Sequence, residues 1–153
     1  MLTVGVISDT HGLLRENAVS RLRECDLIIH AGDIGNIRVL ETLSGLKQVI
    51  AVKGNMDHGS WTEELQETRI IELEGKRIYL IHNVHDIEID PVKENIQVVI
   101  YGHSHKAEIK KEKGVLYFNP GSAGPRRFSL PVTLGLLRID KNDIQAEIID
   151  IKL

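Results

Sequence analysis

The stretch LTVGVISDTHG, residues 2–12, joins an apolar run to an aspartate, a histidine and a glycine. A continuous apolar run of this length predicts a strand buried on both faces, here over residues 2–8. The pattern of residues 14–24 predicts an amphipathic helix next, so the stretch opens a strand–loop–helix unit. Asp9 and His11 therefore lie at the carboxyl end of a buried strand, where α/β proteins bind ligands.

The rest of the chain divides into an alternating half and a strand-rich half. The first half continues with predicted strands over 26–30 and 48–53 and a helix over 37–44, which favours parallel pairing. The second half contains predicted strands over 68–72, 77–82, 98–101, 107–111, 115–119, 132–139 and 144–151. So many strands do not fit comfortably into one small sheet. We therefore predict an α/β fold, a four-layer αββα sandwich of two mixed β-sheets flanked by helices, in a single domain spanning residues 1–153.

The composition is that of an ordinary globular protein. The chain has 153 residues, of which 42% are apolar and 27% charged, and its formal net charge is −3. Its charges are dispersed and aromatic residues make up 4%, so the sequence indicates no surface for binding nucleic acid. Cys25 is the single cysteine, which excludes an intramolecular disulfide. Since no long apolar run and no basic-then-apolar leader is present, we expect a cytoplasmic protein without membrane contact.

Polar clusters follow five of the predicted strands. The potential metal ligands in these clusters are Asp9 and His11, Asp33, Asn55, His82, and His103 with His105. Each cluster alone has an ordinary explanation: Ser8, Asp9 and Thr10 could cap a helix, and AGD and GN are common turn sequences. His82 by itself could be a buried structural histidine. Because the clusters recur at successive strand ends, the sequence predicts that they form a single site.

Two aspartates, one asparagine and four histidines form a set of metal ligands. Carboxylate and imidazole ligands suit Mn, Fe, Zn, Co or Ni better than Ca or Mg. Such a set exceeds the need of one ion, whereas two ions bridged by one carboxylate use it fully, as in two-metal phosphoesterases. Without metal, the carboxylates and imidazoles would lack charge compensation, which is costly in a buried site. We therefore expect two divalent ions, with manganese favoured and Ni, Fe, Zn or Co as alternatives.

The motifs SDTHG, HAGD, GNMD, YGHSH and NPGS, in this order, resemble the motif series of the calcineurin-like metallophosphoesterase superfamily. The likeness covers nearly the whole chain and is strongest to small phosphodiesterases of the YfcE type. It implies one metal held by Asp9, His11 and His105, a second held by Asn55, His82 and His103, and Asp33 as the bridge. It also implies that Asn55 and His82 position the substrate phosphate and that Arg127 contacts it.

The resemblance implies a metal-dependent phosphodiesterase that hydrolyses a small-molecule phosphodiester through a hydroxide held between two metals. Two alternatives remain open from the sequence. One is a phosphomonoesterase of the same superfamily, and the other is a non-catalytic protein-interaction scaffold like the retromer subunit. Exposed strand edges, together with the family likeness, favour a homodimer.

Three departures from the family pattern bear on mechanism. Met56 occupies the position at which many phosphatases of the superfamily have a histidine that assists the leaving group, and methionine cannot donate a proton. The usual HGH is replaced by HNVH, residues 82–85, which moves the second histidine to His85. The Pro-Arg pair expected after NPGS is altered in NPGSAGPRR, residues 119–127. The sequence leaves open whether His58 or His85 supplies the acid that is missing at Met56.

Overall fold

The computed structural model describes residues 1–153 and contains two five-stranded sheets. The strands of the first sheet lie side by side in the order β10 (Ile144–Asp150), β9 (Thr133–Ile139), β1 (Leu2–Ile7), β2 (Leu27–His30) and β3 (Val49–Ala51). The pairs β1–β2 and β2–β3 are parallel, as their alternation with helices predicts. Strand β9 is antiparallel to both of its neighbours, so the first sheet is mixed.

The second sheet is also mixed. Its strands lie in the order β4 (Thr68–Leu73), β5 (Lys76–Ile81), β6 (Val98–Ile100), β8 (Val115–Asn119) and β7 (Glu108–Glu112). The three inner strands are parallel, and each edge strand pairs with its neighbour as an antiparallel hairpin. Both hairpins turn through two residues with positive φ, at 74–75 and 113–114, which matches the twist of the flanking strands.

The layers follow from which faces are apolar. Side chains of both sheets, among them Val6, Ile29, Leu80 and Phe118, form one buried cluster between the sheets. The helices α1 (Glu16–Leu22) and α2 (Ile37–Ser44) both bury apolar side chains four residues apart against the outer face of the first sheet. The outer face of the second sheet is covered by the connection between β5 and β6, which includes the 3₁₀ turn Val84–Asp86. The predicted fold class is confirmed.

Every predicted element is present, with differences at the ends. The helix predicted over 37–44 matches α2, whereas the one predicted over 14–24 is shorter at both ends. The strand predicted over 48–53 ends earlier, because Val52 makes only an isolated bridge to Gln66. Neither helix is long and apolar enough to cross a membrane.

Candidate metal centre

Loops at one edge of the two sheets carry all of the predicted metal ligands. The loops after β1, β2 and β3 carry Asp9 and His11, Asp33, and Asn55, and those after β5 and β6 carry His82, and His103 with His105. The SDT sequence does not cap a helix, because α1 begins at Glu16 and its N-cap residue is Arg15. The structure therefore brings the loops together in the way the strand ends predict.

One group of potential ligands consists of Asp9, His11 and His105, whose ligand atoms all lie within 4.8 Å of one another. The Oδ1 atom of Asp9 lies 3.5 Å from Nε2 of His105 and 3.8 Å from Nε2 of His11. The two Nε2 atoms are themselves 3.2 Å apart. One carboxylate oxygen and two imidazole nitrogens thus face a common point, which is the arrangement that a transition-metal ion needs.

The second group consists of Asp33, His82 and His103, again with ligand atoms within 4.8 Å. The Oδ2 atom of Asp33 is 3.2 Å from Nε2 of His82 and 3.8 Å from Nε2 of His11, so it lies between the two groups. Asn55 lies at the edge of this group, where its Oδ1 accepts a hydrogen bond of 3.2 Å from Nδ1 of His103.

Each carboxylate has one oxygen bound by the chain and one facing the centre. The Oδ2 atom of Asp9 accepts hydrogen bonds from the Ser8 hydroxyl at 2.7 Å and from the His103 backbone N–H at 3.1 Å. The Oδ1 atom of Asp33 accepts from the Met56 backbone N–H at 2.9 Å. These bonds fix the orientation of both side chains, so Oδ1 of Asp9 and Oδ2 of Asp33 point into the same space.

His82 shows that this space suits a cation. Its Nδ1 donates a hydrogen bond of 2.7 Å to the Ala31 carbonyl, which leaves Nε2 of the neutral ring with a lone pair. That lone pair faces Oδ2 of Asp33 and Oδ1 of Asp9, at 3.2 and 3.8 Å. Both Nε2 of His82 and Oδ1 of Asp9 are buried without a hydrogen-bond partner. With the ring neutral, these buried acceptors face one another, which is costly, and either a proton on Nε2 or a metal ion between them removes the cost.

The ionisation of these groups in the metal-free protein follows the same geometry. Burial lowers the pKa of His82, but the carboxylates of Asp33 and Asp9 outweigh burial and hold that pKa above its usual value. Burial raises the pKa of Asp9 despite the opposing effect of His82. Asp33 is also partly buried, yet the neighbouring His82 and the hydrogen bond from the Met56 N–H keep its pKa below the usual value. The shifts in His82 and Asp33 both favour the charged forms, and a cation in the centre would replace the His82 proton.

The backbone of the centre is strained. Asp9, His11, Asp33, His103 and His105 have φ values of 56, 45, 55, 73 and 63°. The left-handed region costs a non-glycine residue about 1–2 kcal/mol. Strain of this kind persists only where surrounding contacts impose it, and it is concentrated at functional sites. The cost at five predicted ligands indicates that their placement serves a purpose other than stability.

Close contact between the loops depends on a glycine and on an aspartate. A side chain at Gly102 would place its Cβ 2.1 Å from the Ser8 hydroxyl oxygen, so only glycine allows the His103 loop to reach Asp9. Asp57 is fully buried, and its carboxylate accepts hydrogen bonds from three backbone N–H groups, those of Ile34, Gly35 and Gly54. Asp57 thereby ties the Asp33 loop to the Asn55 loop. Asp57 is the last residue of the GNMD motif, and the motif alone does not indicate this role.

Two clefts meet at the centre. One, of about 470 Å³, is lined by five of the seven predicted ligands, all but Asp9 and His82, together with Met56, Arg126 and Arg127. The other, of about 930 Å³, extends over the second sheet and is lined by Glu67, Asp86 and Glu88 among others, including His58 and His85. Asn55 and His103 border both clefts. A small molecule bound at the centre therefore has room to extend in two directions.

Comparison with known proteins gives the same indication as the geometry. The family model for the calcineurin-like phosphoesterase superfamily domain matches residues 2–142. A probable metallophosphoesterase from Methanothermobacter thermautotrophicus is 32% identical over 160 aligned positions, which cover 97% of this chain and 92% of that protein. The phosphodiesterase YfcE of Escherichia coli is 30% identical over 102 positions, covering 61% of this chain and 54% of that protein.

Among solved structures, Vacuolar Protein Sorting 29 from Cryptosporidium parvum superposes with a TM-score of 0.85. The match covers 98% of this chain and 91% of that one, at 18% sequence identity. A likeness at this identity concerns the fold alone.

Proposed function

The chain belongs to the calcineurin-like phosphoesterase superfamily, and we propose that it is a metal-dependent phosphodiesterase with a dinuclear centre. The observation that carries the proposal is the convergence of ligand atoms from five loops around buried acceptors that lack a donor. A site of this composition has no evident structural use, since its strain and burial both lower stability.

The proposed ligand sets are those that the resemblance to the superfamily implies. Asp9, His11 and His105 hold one ion, and Asn55, His82 and His103 hold the other. Asp33 bridges them, which its position between the two groups supports. Asn55 and His82 also position the substrate phosphate, and Arg127 lies where it can contact that phosphate from the wall of the smaller cleft.

When bound, two divalent ions neutralise phosphate charge and lower the pKa of a water molecule, which supplies the nucleophile. The chain's residues provide the orientation. Ser8 and the His103 N–H hold the Asp9 carboxylate, and the Met56 N–H holds that of Asp33. Because the Ala31 carbonyl accepts a hydrogen bond from the Nδ1–H of His82, the imidazole is fixed in the tautomer whose Nε2 can act as a ligand.

The two clefts favour a diester over a monoester. A phosphodiester has two substituents on phosphorus, and the structure offers a cleft on each side of Asn55 and His103. A monoester would fill only one of them. Met56, at the position of the expected proton donor, lines the smaller cleft, and the chain has no acid there to protonate a poor leaving group.

Hydrolysis of bis-p-nitrophenyl phosphate by protein loaded with Mn²⁺ or Ni²⁺ tests the proposal. We expect turnover that is lost after chelation and is faster than turnover of p-nitrophenyl phosphate. Faster hydrolysis of the monoester would favour the phosphomonoesterase alternative. No hydrolysis, together with a stable protein partner recovered by pull-down, would favour the scaffold alternative. Manganese as the native metal, a cytoplasmic location and a homodimer remain predictions of the sequence.

A further inference from the structure

Two unpaired arginines form one wall of the smaller cleft. Arg126 and Arg127 are both exposed and line the cleft together with the ligands His11, Asp33 and His105. The ion pairs of lysine and arginine in this structure are Lys110 with Glu108 and Arg138 with Glu147, so neither guanidinium is neutralised by a carboxylate. Outside the metal ligands, this cleft therefore carries two positive charges and no negative one.

The arginine pair is attached to the loop that carries Asp9. Ser122 donates a hydrogen bond of 3.0 Å to the Asp9 carbonyl, and the Ala123 N–H donates one of 3.1 Å to the Ser8 carbonyl. Arg15 donates two hydrogen bonds of 3.2 Å to the Gly124 carbonyl. A side chain at Gly124 would place its Cβ 2.3 Å from the Thr10 carbonyl oxygen, so the loop contact requires glycine. The segment that presents the arginines is thus fixed relative to the centre.

The larger cleft has the opposite charge. Its exposed carboxylates are those of Glu67, Asp86 and Glu88, against the single cation Lys53. The Asp57 carboxylate, also in its lining, is buried and fully bonded to backbone N–H groups. An anionic substituent would be repelled from the larger cleft and attracted into the smaller one. The charge difference therefore orients an asymmetric substrate.

The charge of a single diester phosphate does not explain why two arginines line the smaller cleft. Two divalent ions, the carboxylates of Asp9 and Asp33, one hydroxide and one phosphodiester together carry no net charge. Arg126 and Arg127 therefore add two positive charges that a single diester phosphate does not neutralise. Guanidinium groups in pairs are well suited to a further phosphate, which they bind through several charge-assisted hydrogen bonds.

We propose that Arg126 and Arg127 form a subsite for a second phosphate group, carried on the substituent of the diester that occupies the smaller cleft. The proposal rests on the proposed function, since the scissile diester is placed at the metal centre. It names the substrate class: small phosphodiesters with an additional phosphate on the retained substituent, such as a nucleotide phosphorylated at a second position.

A matched pair of chromogenic diesters tests the subsite. Thymidine 5′-(p-nitrophenyl phosphate) and its 3′-phosphorylated form differ by one phosphate, and in each, water attacks phosphorus as the bond to p-nitrophenolate breaks. We expect kcat/KM of the manganese-loaded protein to be about 10- to 100-fold higher for the 3′-phosphorylated diester, as hydrogen bonds between charged groups permit. In R126Q/R127Q the rate on the 3′-phosphorylated diester should fall by a larger factor than the rate on the simple diester, so that the preference approaches one.

A charge-matched control separates a local subsite from the overall field. K93Q/K111Q removes two positive charges from exposed positions outside both clefts and should keep the preference. Affinity measured by calorimetry gives a second readout: thymidine 3′,5′-bisphosphate should bind the loaded protein more tightly than thymidine 5′-phosphate, and only R126Q/R127Q should lose the difference. Equal rates and equal affinities for the two members of each pair would overturn the subsite. No cleavage of either diester would instead contradict the proposed function, and calorimetry would still decide the subsite.

Discussion

The two sheets contribute different chemistry to the centre. Loops of the first sheet supply every oxygen ligand proposed, from Asp9, Asp33 and Asn55, whereas loops of the second sheet supply only histidines. The first-sheet loops are joined by backbone hydrogen bonds, such as that from the His11 N–H to the Asp33 carbonyl at 2.9 Å. The second-sheet loops are held by bonds to the first: His82 to the Ala31 carbonyl and the His103 N–H to Asp9. The charged half is thus held together within the first sheet, and the imidazole half depends on packing of the second sheet against it.

We expect the largest loss of activity from a substitution in the charged half. Asp33→Asn keeps the shape of the side chain but removes the negative charge proposed to be shared by both ions. Loss of a supporting contact alone typically costs about 10- to 100-fold in metal affinity or activity, so loss of this ligand should cost at least about 100-fold. Metal content by elemental analysis and the rate on bis-p-nitrophenyl phosphate measure the change. Asp150→Asn, at an exposed position on the first sheet, is the matched control. Normal turnover with two ions bound would contradict the bridging role.

Each substitution of a histidine in the imidazole half should remove one of the two ions and leave the other bound. His105→Ala removes a ligand from the group with Asp9 and His11, and His103→Ala removes one from the group with Asp33 and His82. Both histidines lie on one loop, so the comparison holds the surroundings nearly constant. Anomalous scattering from crystals of the manganese-loaded variants should show a different ion missing in each. Absence of the same ion from both would contradict the proposed ligand sets.

Because Asp57 ties the loops of the charged half together, we expect its substitution to lower the stability of the fold. Its carboxylate accepts three backbone N–H groups at 2.9 to 3.2 Å, and in Asp57→Asn an amide NH₂ would replace one accepting oxygen. We expect the free energy of unfolding of the metal-free protein to fall by about 1–3 kcal/mol, the cost of a buried group left unsatisfied. Urea unfolding measures this change, with Asp150→Asn again as the control. An unchanged midpoint would show that the loops do not depend on Asp57.

The sequence predicted the fold well because its signals are local. Buried strands, a short helix at residues 37–44 and polar residues at strand ends are all visible in short windows. The sequence also predicted which side chains meet, because parallel strands place their carboxyl ends at one edge. The hydrogen bonds of Asp57 and the position of Arg126 at the smaller cleft were not predicted, since both depend on how distant loops are placed. The opposite charges of the clefts likewise arise only when residues 53–89 and 125–127 are placed in space.

His30, at the end of β2, should make the free energy of unfolding depend on pH. It is fully buried; its Nδ1 accepts from the Gly32 N–H at 3.1 Å and its Nε2 donates to the Thr10 hydroxyl at 2.9 Å. Burial lowers its pKa from 6.5 to about 3, so the folded protein keeps His30 neutral. Between these values the unfolded chain binds a proton that the folded protein does not. Stability should therefore fall as the pH falls through this range, by about 1.4 kcal/mol per pH unit.

The His30→Gln variant isolates that contribution. Glutamine can still donate and accept a hydrogen bond, but it does not titrate. Urea unfolding of the metal-free proteins at pH 4 and pH 6 should show a smaller difference for the variant than for the native chain. Identical pH dependence in the two would mean that His30 is protonated in the folded state.

We expect the smallest change in activity from a substitution of Met56, which lies beside the centre in the smaller cleft. Its backbone N–H holds Asp33, while its side chain is 58% exposed in the smaller cleft, so substitution there leaves the fold intact. His58 and His85 both line the larger cleft, on the other side of Asn55. For a substrate without a second phosphate, whose leaving group can lie in the smaller cleft, no acid is nearby, and the native rate should drop steeply as the leaving-group pKa rises.

Met56→His should raise hydrolysis of alkyl phosphomonoesters by up to about tenfold, because an acid that is not optimally positioned recovers only part of the usual 10²–10⁴-fold contribution. The rate on bis-p-nitrophenyl phosphate should change less, since p-nitrophenolate leaves without protonation. Steady-state rates over a series of leaving groups measure both effects. A flat dependence in the native protein that becomes steep in His58→Ala or His85→Ala would show that one of these histidines is the acid. The leaving group would then depart through the larger cleft, and the second sheet would supply the proton as well as the imidazole ligands.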